Sequence, residues 1–332
     1  MGPRRASILA LCLLLACVTG EPSTTAGAVD PASSARTVDA TPAEGRAQAK
    51  AQVRSGSEVV EVDGHPLTVW YRQPERARDV IVLVHGRTWS ARPDFDLQAP
   101  GEQRSLMDAL VAEGFAVYAV DLRGYGATPR DATGWLTPDR AAADVAEVLA
   151  WVRGRHPDGE PPVLLGWSLG SIISQLTAQR HPERLSALVL FGYPRDPDQR
   201  YPPGPDPSSE PPRKATTAEA AAEDFIIPGS ISQAGIDAFV EAALASDPVR
   251  TDWTGTEQWN ALDPAAVTVP TLLLQGERDP YAPIDDQAKL FTRLANPDRE
   301  WVVIAGGDHA AHLEDCGPRF VHALVEFVRR PR

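Results

Sequence analysis

Val163-Leu164-Leu165-Gly166-Trp167-Ser168-Leu169-Gly170 reads as a short apolar strand entering a glycine-flanked turn, and a predicted helix, Ser171 to Arg180, lies beyond it. GxSxG alone is short enough to arise by chance. Between a strand and a helix it carries chemical meaning. A serine in that setting sits in a tight, strained turn, and the residues two positions to either side must lack Cβ atoms for the chain to close. The turn lifts the hydroxyl past the carboxyl ends of the strands, and the following helix points its positive end at it. Ser168 is therefore the candidate nucleophile. The plainer alternative is a glycine-rich strand–helix turn with an incidental serine.

Outward from this turn, short apolar runs alternate with amphipathic stretches. The candidate strands are Val59–Val62, Leu67–Tyr71, Val80–Val84, Ala116–Val120, Val163–Leu165, Leu188–Phe191, Thr271–Leu274 and Trp301–Ile304. Most are rich in Val, Ile and Leu and bounded by Gly, Pro or Asp, as buried strands are. One helix starts at Thr137-Pro138, a capping residue followed by proline. Its Val145, Val148, Leu149 and Val152 share one face, as do Phe320, Leu324, Phe327 and Val328 near the end of the chain. Such alternation predicts an α/β fold: a mostly parallel eight-stranded sheet with helices on both faces and an antiparallel start. Between Phe191 and Val269 no strand is evident. A proline-rich loop, Pro194 to Pro212, precedes helices expected near Thr217–Phe225 and Gln233–Ala245. Residues 194–265 are read as a small helical cap, since long insertions of this kind are usually functional.

Four motifs in order give the chain a resemblance to the α/β-hydrolase family over about residues 57–330, within a hydrolase domain expected over 57–332. His85-Gly86-Arg87-Thr88 follows a strand where the family carries its HG turn. Asp121-Leu122-Arg123-Gly124-Tyr125-Gly126 is similar to the family's D-x-R-G-x-G loop. The serine turn and a late aspartate and histidine complete the set, and GWSLG resembles the turn of small serine carboxylesterases. The resemblance implies an α/β-hydrolase fold and a serine, acid, histidine order along the chain.

A serine hydroxyl needs a positioned base. Asp279, in Gly276-Glu277-Arg278-Asp279-Pro280, stands where family members place the acid that orients the base; Glu277, Asp285 and Asp286 are rivals. In Gly306-Gly307-Asp308-His309-Ala310-Ala311-His312-Leu313-Glu314, His309 matches the family's base, with a glutamate five residues on. His312 is expected to face solvent or a helix start. Asp308 departs from the Gly or Ala common in relatives; it is either an extra orienting charge or a solvated loop residue. The resemblance places the two oxyanion donors at the backbone N–H groups of Arg87 and Leu169. The Arg87 side chain is either a charge at the mouth or an ordinary surface arginine, and His85 is a structural residue rather than a second base. Trp89 and Trp167 are candidates to line the pocket, and Phe225, Phe239, Trp253 and Trp259 either close it or form the core of the cap.

The first residues belong to a different category. Arg4 and Arg5 precede a short apolar run, Ile8 to Ala16, which reads as a secretory signal too short to span a bilayer. Leu14-Leu15-Ala16-Cys17 resembles a bacterial lipobox, in which Cys17 becomes the lipidated first residue; several acyl chains hold far better than one, at roughly 0.8 kcal/mol per buried CH₂. Residues 1–17 are thus expected to be a signal segment and 18–56 a tether, poor in apolar periodicity. The protein is expected to be exported and lipid-anchored to the cell envelope, or else secreted and soluble. Cys316, left without a partner, is expected to be a small buried apolar side chain.

The chain has 332 residues, 43% of them hydrophobic, and a net charge of −13. So acidic a chain gains nothing from counterion release, and nucleic acid is not an expected partner. No metal-ligand spacing, P-loop or dinucleotide fingerprint occurs, so neither cofactor nor metal is expected. The expected activity is hydrolysis of a small-molecule acyl substrate, an ester first, through an acyl-enzyme. Thioester, lactone, amide or carbon–carbon cleavage by the same triad stays open, as does a ligand-binding lipoprotein without catalysis. A serine rather than a carboxylate in the turn disfavours haloalkane dehalogenase or epoxide hydrolase chemistry.

Overall fold

A computed structural model describes residues 53–331. The expected signal, Cys17 and most of the expected tether lie outside the described residues. The first strand begins at Arg54, so Arg54 to Gly56, assigned to the tether, belong to the sheet.

The eight main strands are β1 (Arg54–Val62), β2 (His65–Gln73), β3 (Asp79–Val84), β4 (Phe115–Val120), β5 (Val163–Trp167), β6 (Ala187–Phe191), β7 (Thr271–Gly276) and β8 (Arg299–Ile304). They form one sheet in the order β1-β2-β4-β3-β5-β6-β7-β8. β2 is antiparallel to both neighbours, and all other pairs are parallel. The central strands are buried on both faces, which is why they read as continuous apolar runs.

Helices cover both sides. α1 (Ala91–Phe95), α2 (Leu106–Ala112) and α8 (Gly317–Arg329) pack Phe95, Leu110 and Phe320 against Ile81, Leu83 and Leu165. α3 (Pro138–Arg155), α4 (Leu169–Arg180) and α7 (Ile284–Arg293) bury Val148, Ile173 and Leu290 with Val82, Val84 and Leu164. Successive β3 residues thus serve opposite cores, as the two-residue period of a strand requires. Each such side chain contributes about 1.5–3 kcal/mol on burial. The start of α3 is as the sequence implies, with Thr137 Oγ1 accepting from Arg140 N at 3.3 Å and Pro138 at the first turn.

The interval between β6 and β7 forms the cap. α5 (Ala218–Ala222) is shorter than expected, and α6 (Gln233–Ser246) matches its expected span closely. One departure is a two-residue strand, Asp252–Trp253, parallel to Trp135–Leu136, which ties the cap to the segment before α3. Phe239 and Ala221 pack with Trp89 and Leu97 in a separate small core between cap and body. No helix among the described residues is long and apolar enough to cross a membrane.

Candidate active site

β5 delivers Ser168 to the amino end of α4. Its φ of 53° and ψ of −122° lie outside the regions a residue with a Cβ prefers. Such strain costs on the order of 1–3 kcal/mol and persists only where the surroundings over-determine it. They do so here. A Cβ on Gly166 would lie 2.1 Å from the Gly170 carbonyl oxygen, and one on Gly170 would lie 2.1 Å from that of Val84. The two glycines let α4 press against β5 and β3 and hold the turn.

Asp279 stands just past β7 and His309 in the loop after β8, two parallel neighbours whose carboxyl ends share one edge of the sheet. His309 Nδ1 lies 2.8 Å from Asp279 Oδ2, and the other carboxylate oxygen accepts from Tyr281 N at 2.9 Å. With the Nδ1 proton donated to a carboxylate, Nε2 is left as the acceptor. The Trp167 indole donates to the His309 carbonyl at 2.7 Å, and the Tyr281 ring stands edge-on to the imidazole, centroids 5.0 Å apart. The rival acids lie elsewhere: Glu277 accepts from Gly306 N, Asp286 pairs with Lys289, and Asp285 is exposed on α7.

Three expectations for this loop need correction. His312 does not face solvent. It is buried among Phe95, Trp167, Phe191 and Phe320, donates from Nε2 to the Asp94 carbonyl at 2.8 Å, and burial depresses its pKa to about 3. Asp308 is not a solvated loop residue either. Fully buried, it accepts from the backbone N–H groups of Ile226 and Ile227 in the cap and of Ala310. Glu314 Oε2 accepts from Asp308 N at 2.9 Å and closes the loop on itself; burial beside Asp308 raises its pKa to about 7. Cys316 is only half-buried, with Sγ against Ala311 O and Glu314; burial and that neighbouring carboxylate raise its pKa to about 12.

The loop after β3 is held from three directions. Buried His85 accepts from Leu122 N at Nε2 and donates from Nδ1 to Gly86 O at 2.9 Å; burial lowers its pKa to about 4, so it stays neutral. Gly86 C=O and Arg87 N–H belong to one peptide plane, so this bond also fixes the direction of the Arg87 N–H. Asp94 Oδ2 accepts from Gly86 N at 2.9 Å. Tyr125, in the Asp121–Gly126 loop, donates its hydroxyl to Arg87 O and accepts from the cap's Trp253 indole at 2.9 Å. Leu169, the first residue of α4, offers a free helix-end N–H beside Ser168.

Ser168, His309, Arg87 and Leu169 all line one chamber of about 440 Å³, with Asp279 behind the imidazole. Residues 75–315 match the family model described as serine aminopeptidase, S33. The chain belongs to this family of α/β-hydrolases. Among curated proteins it is 30% identical over 257 residues to the biotin biosynthesis bifunctional protein BioHC of Cellvibrio japonicus, covering 71% of this chain and 45% of that one. It is 39% identical over 80 residues to the pimeloyl-[acyl-carrier protein] methyl ester esterase of Chromobacterium violaceum, 24% of this chain and 27% of that one. The chain thus spans less than half the length of these curated relatives. Among solved structures, a hydrolase from Pseudomonas aeruginosa PA01 superposes with a TM-score of 0.62 at 18% identity, covering 82% of this chain and 98% of that one. An esterase from Rhodococcus sp. ECU1013 superposes at 0.57 and 21% identity, covering 83% and 98%. These similarities agree in fold.

The chamber of this hydrolase is largely aromatic. Trp89, Trp167, Trp253 and Trp259 contribute to its wall with Tyr201 and Tyr281, whereas Phe225 and Phe239 pack edge-to-face in the cap core and do not line it. Two carboxylates line it as well. Asp94 is wholly buried, and its Oδ1 has no hydrogen-bond partner. Asp224 Oδ2 accepts from the Trp89 indole at 2.7 Å. Burial pushes Asp94 well above the ordinary carboxylate range and lifts Asp224 to about 6. Sequence reading passed over both, since neither lies in a motif and only folding brings α1 and the cap to the serine.

Proposed function

We propose that the protein is a serine esterase working through Ser168, His309 and Asp279 and an acyl-enzyme intermediate. The observation that carries this reading is the 2.8 Å bond from His309 Nδ1 to buried Asp279, behind a chamber whose wall also bears Ser168 on its strained turn. His309 Nε2 takes the Ser168 proton as Oγ attacks the acyl carbon. The oxyanion is held by the Arg87 and Leu169 N–H groups, each worth about 3 kcal/mol in such sites. Nε2 returns the proton to the leaving alcohol, and a water activated the same way then releases the acid. Asp279 keeps the imidazole in the right tautomer and stabilises its cation. An ester is favoured as substrate because one curated relative is a methyl ester esterase and one structural neighbour an esterase.

A fluorophosphonate probe should label the wild-type protein and leave Ser168→Ala unlabelled, and chromogenic esters of rising acyl length should be hydrolysed. Labelling of Ser168→Ala at the wild-type rate would discard the serine, and failure on every ester would move the reading to thioesters or amides. We also propose lipidation at Cys17 and anchorage in a bacterial envelope, on the strength of Leu14-Leu15-Ala16-Cys17 after a short apolar run. Cys17→Ser should shift the protein from the membrane to the soluble fraction; unchanged partitioning would refute the anchor.

A further inference from the structure

The chamber holds more carboxyl groups than ester hydrolysis by its serine requires. Asp279 spends its carboxylate on the imidazole, but Asp94 and Asp224 have no such duty. Each makes a hydrogen bond through Oδ2, to Gly86 N and to the Trp89 indole; Oδ1 of wholly buried Asp94 has no partner, and Asp224 is half-buried in the chamber wall. Asp94 and Asp224 line one chamber together with Ser168 and His309. Among the described residues no Lys or Arg forms an ion pair with either carboxyl group, and the arginine in the lining, Arg87, is exposed. Buried carboxylates without a cationic partner are costly, and a protein usually supplies one or protonates the group. The aromatic side chains that line the same chamber are the second observation, because a cation near an indole is attracted by its quadrupole and more strongly once desolvated.

Resting on the esterase reading, we propose that Asp94, Asp224 and the surrounding indoles form a subsite for a substrate group bearing a cationic nitrogen. The guest's charge takes the place of the partner that Asp94 Oδ1 lacks, with Asp224 in the same wall, and its alkyl substituents lie against the aromatic lining. Because both carboxyl groups line the chamber that also bears Ser168 and His309, the cation belongs to a small ammonium-bearing ester rather than a long lipid. Uncharged acyl chains of the same shape desolvate the two carboxylates and return nothing.

The test uses isosteric pairs on the full chain. One is a choline thioester and its carbon isostere, with tert-butyl in place of trimethylammonium. The other carries the same exchange at the end of a short acyl chain on a chromogenic ester. At least one pair should favour the cation by tenfold or more in kcat/KM, and that ratio should fall at least fivefold in Asp224→Asn. Tenfold corresponds to about 1.4 kcal/mol. Equal or faster turnover of both neutral partners, or a preference that survives Asp224→Asn, overturns the subsite. A separate readout does not depend on turnover: butyltrimethylammonium should change the indole fluorescence saturably in wild type and not in Asp224→Asn. Absence of that saturable change overturns the subsite even if esters are cleaved. Its presence with no ester cleaved keeps the subsite and refutes the esterase reading alone.

Discussion

The loop after β8 carries two imidazoles three residues apart, and its two halves treat them in opposite ways. At the front, His309 has a carboxylate on Nδ1 and the chamber beside it. At the back, His312 has Nδ1 without a partner, a single bond from Nε2 to a backbone carbonyl, and aromatic rings around it. Both are nearly inaccessible to solvent, at 5% exposure each. Burial is therefore not what makes a base. An imidazole becomes one when one nitrogen is tied to a negative group and the other is open to the reacting atom. Buried without the carboxylate, the same ring is a neutral packing element.

The largest expected effect is on the front half. His309→Gln should lower kcat/KM by on the order of 10⁴-fold or more, read on a chromogenic ester. His312→Gln should leave kcat/KM within about tenfold and instead cost about 1–3 kcal/mol of stability through a disturbed buried hydrogen bond, read by denaturant melts. Equal kinetic losses would erase the contrast. Next comes the support beneath both halves. A Cβ on Gly276 would lie 2.0 Å from the Asp308 carbonyl oxygen, so Gly276→Ala must push the loop off β7. A stability loss of about 1–3 kcal/mol is expected, with slower labelling of Ser168 in the folded fraction.

Asp308→Asn should act on a smaller scale and only where the front half meets the cap. An amide cannot accept from Ile226, Ile227 and Ala310 together as the carboxylate does. Faster amide exchange at Ile226 and Ile227, with little change in the central strands, is the expected signature. The smallest effect is titration of the back half. Burial depresses the folded-state pKa of His312 to about 3 and of His85 to about 4, while the unfolded chain binds these protons near 6.5. Between those values the unfolded state holds more protons, so stability is full above pH 6.5 and falls as pH drops. The carboxylates raised by burial, Asp121 and Asp224 at about 6, act in the opposite sense over about pH 4–6. His312→Gln should therefore flatten the decline in Tm between pH 6.5 and 5 relative to wild type; an unchanged slope would mean that His312 is not the depressed group.

Much of this was legible in advance because it is local. The main strands were visible as apolar runs, and α3 announced itself through Thr137-Pro138. The turn at Ser168 was readable because Gly166 and Gly170 are where a close approach forbids a Cβ. α2 and α7 were passed over, being short connections whose apolar residues find partners only on the assembled sheet. Asp308, expected as an orienting charge or a solvated loop residue, and His312, expected to face solvent or a helix start, are both buried, and polar composition says nothing of what later covers a loop.

Sequence by itself determined the order of the main strands, the start of α3, the serine turn, and the segments after β7 and β8 in which an acid and a histidine stand. Those follow from side-chain period, backbone sterics and spacing, which neighbours in the chain can specify. Tertiary structure alone decided which imidazole received the carboxylate, which loop acid pinned the cap, and that Asp94 and Asp224 would share a chamber with Ser168. Electrostatic character depends on what is close in space and on what excludes water. Residues far apart along the chain acquire both only when the sheet closes beneath the cap.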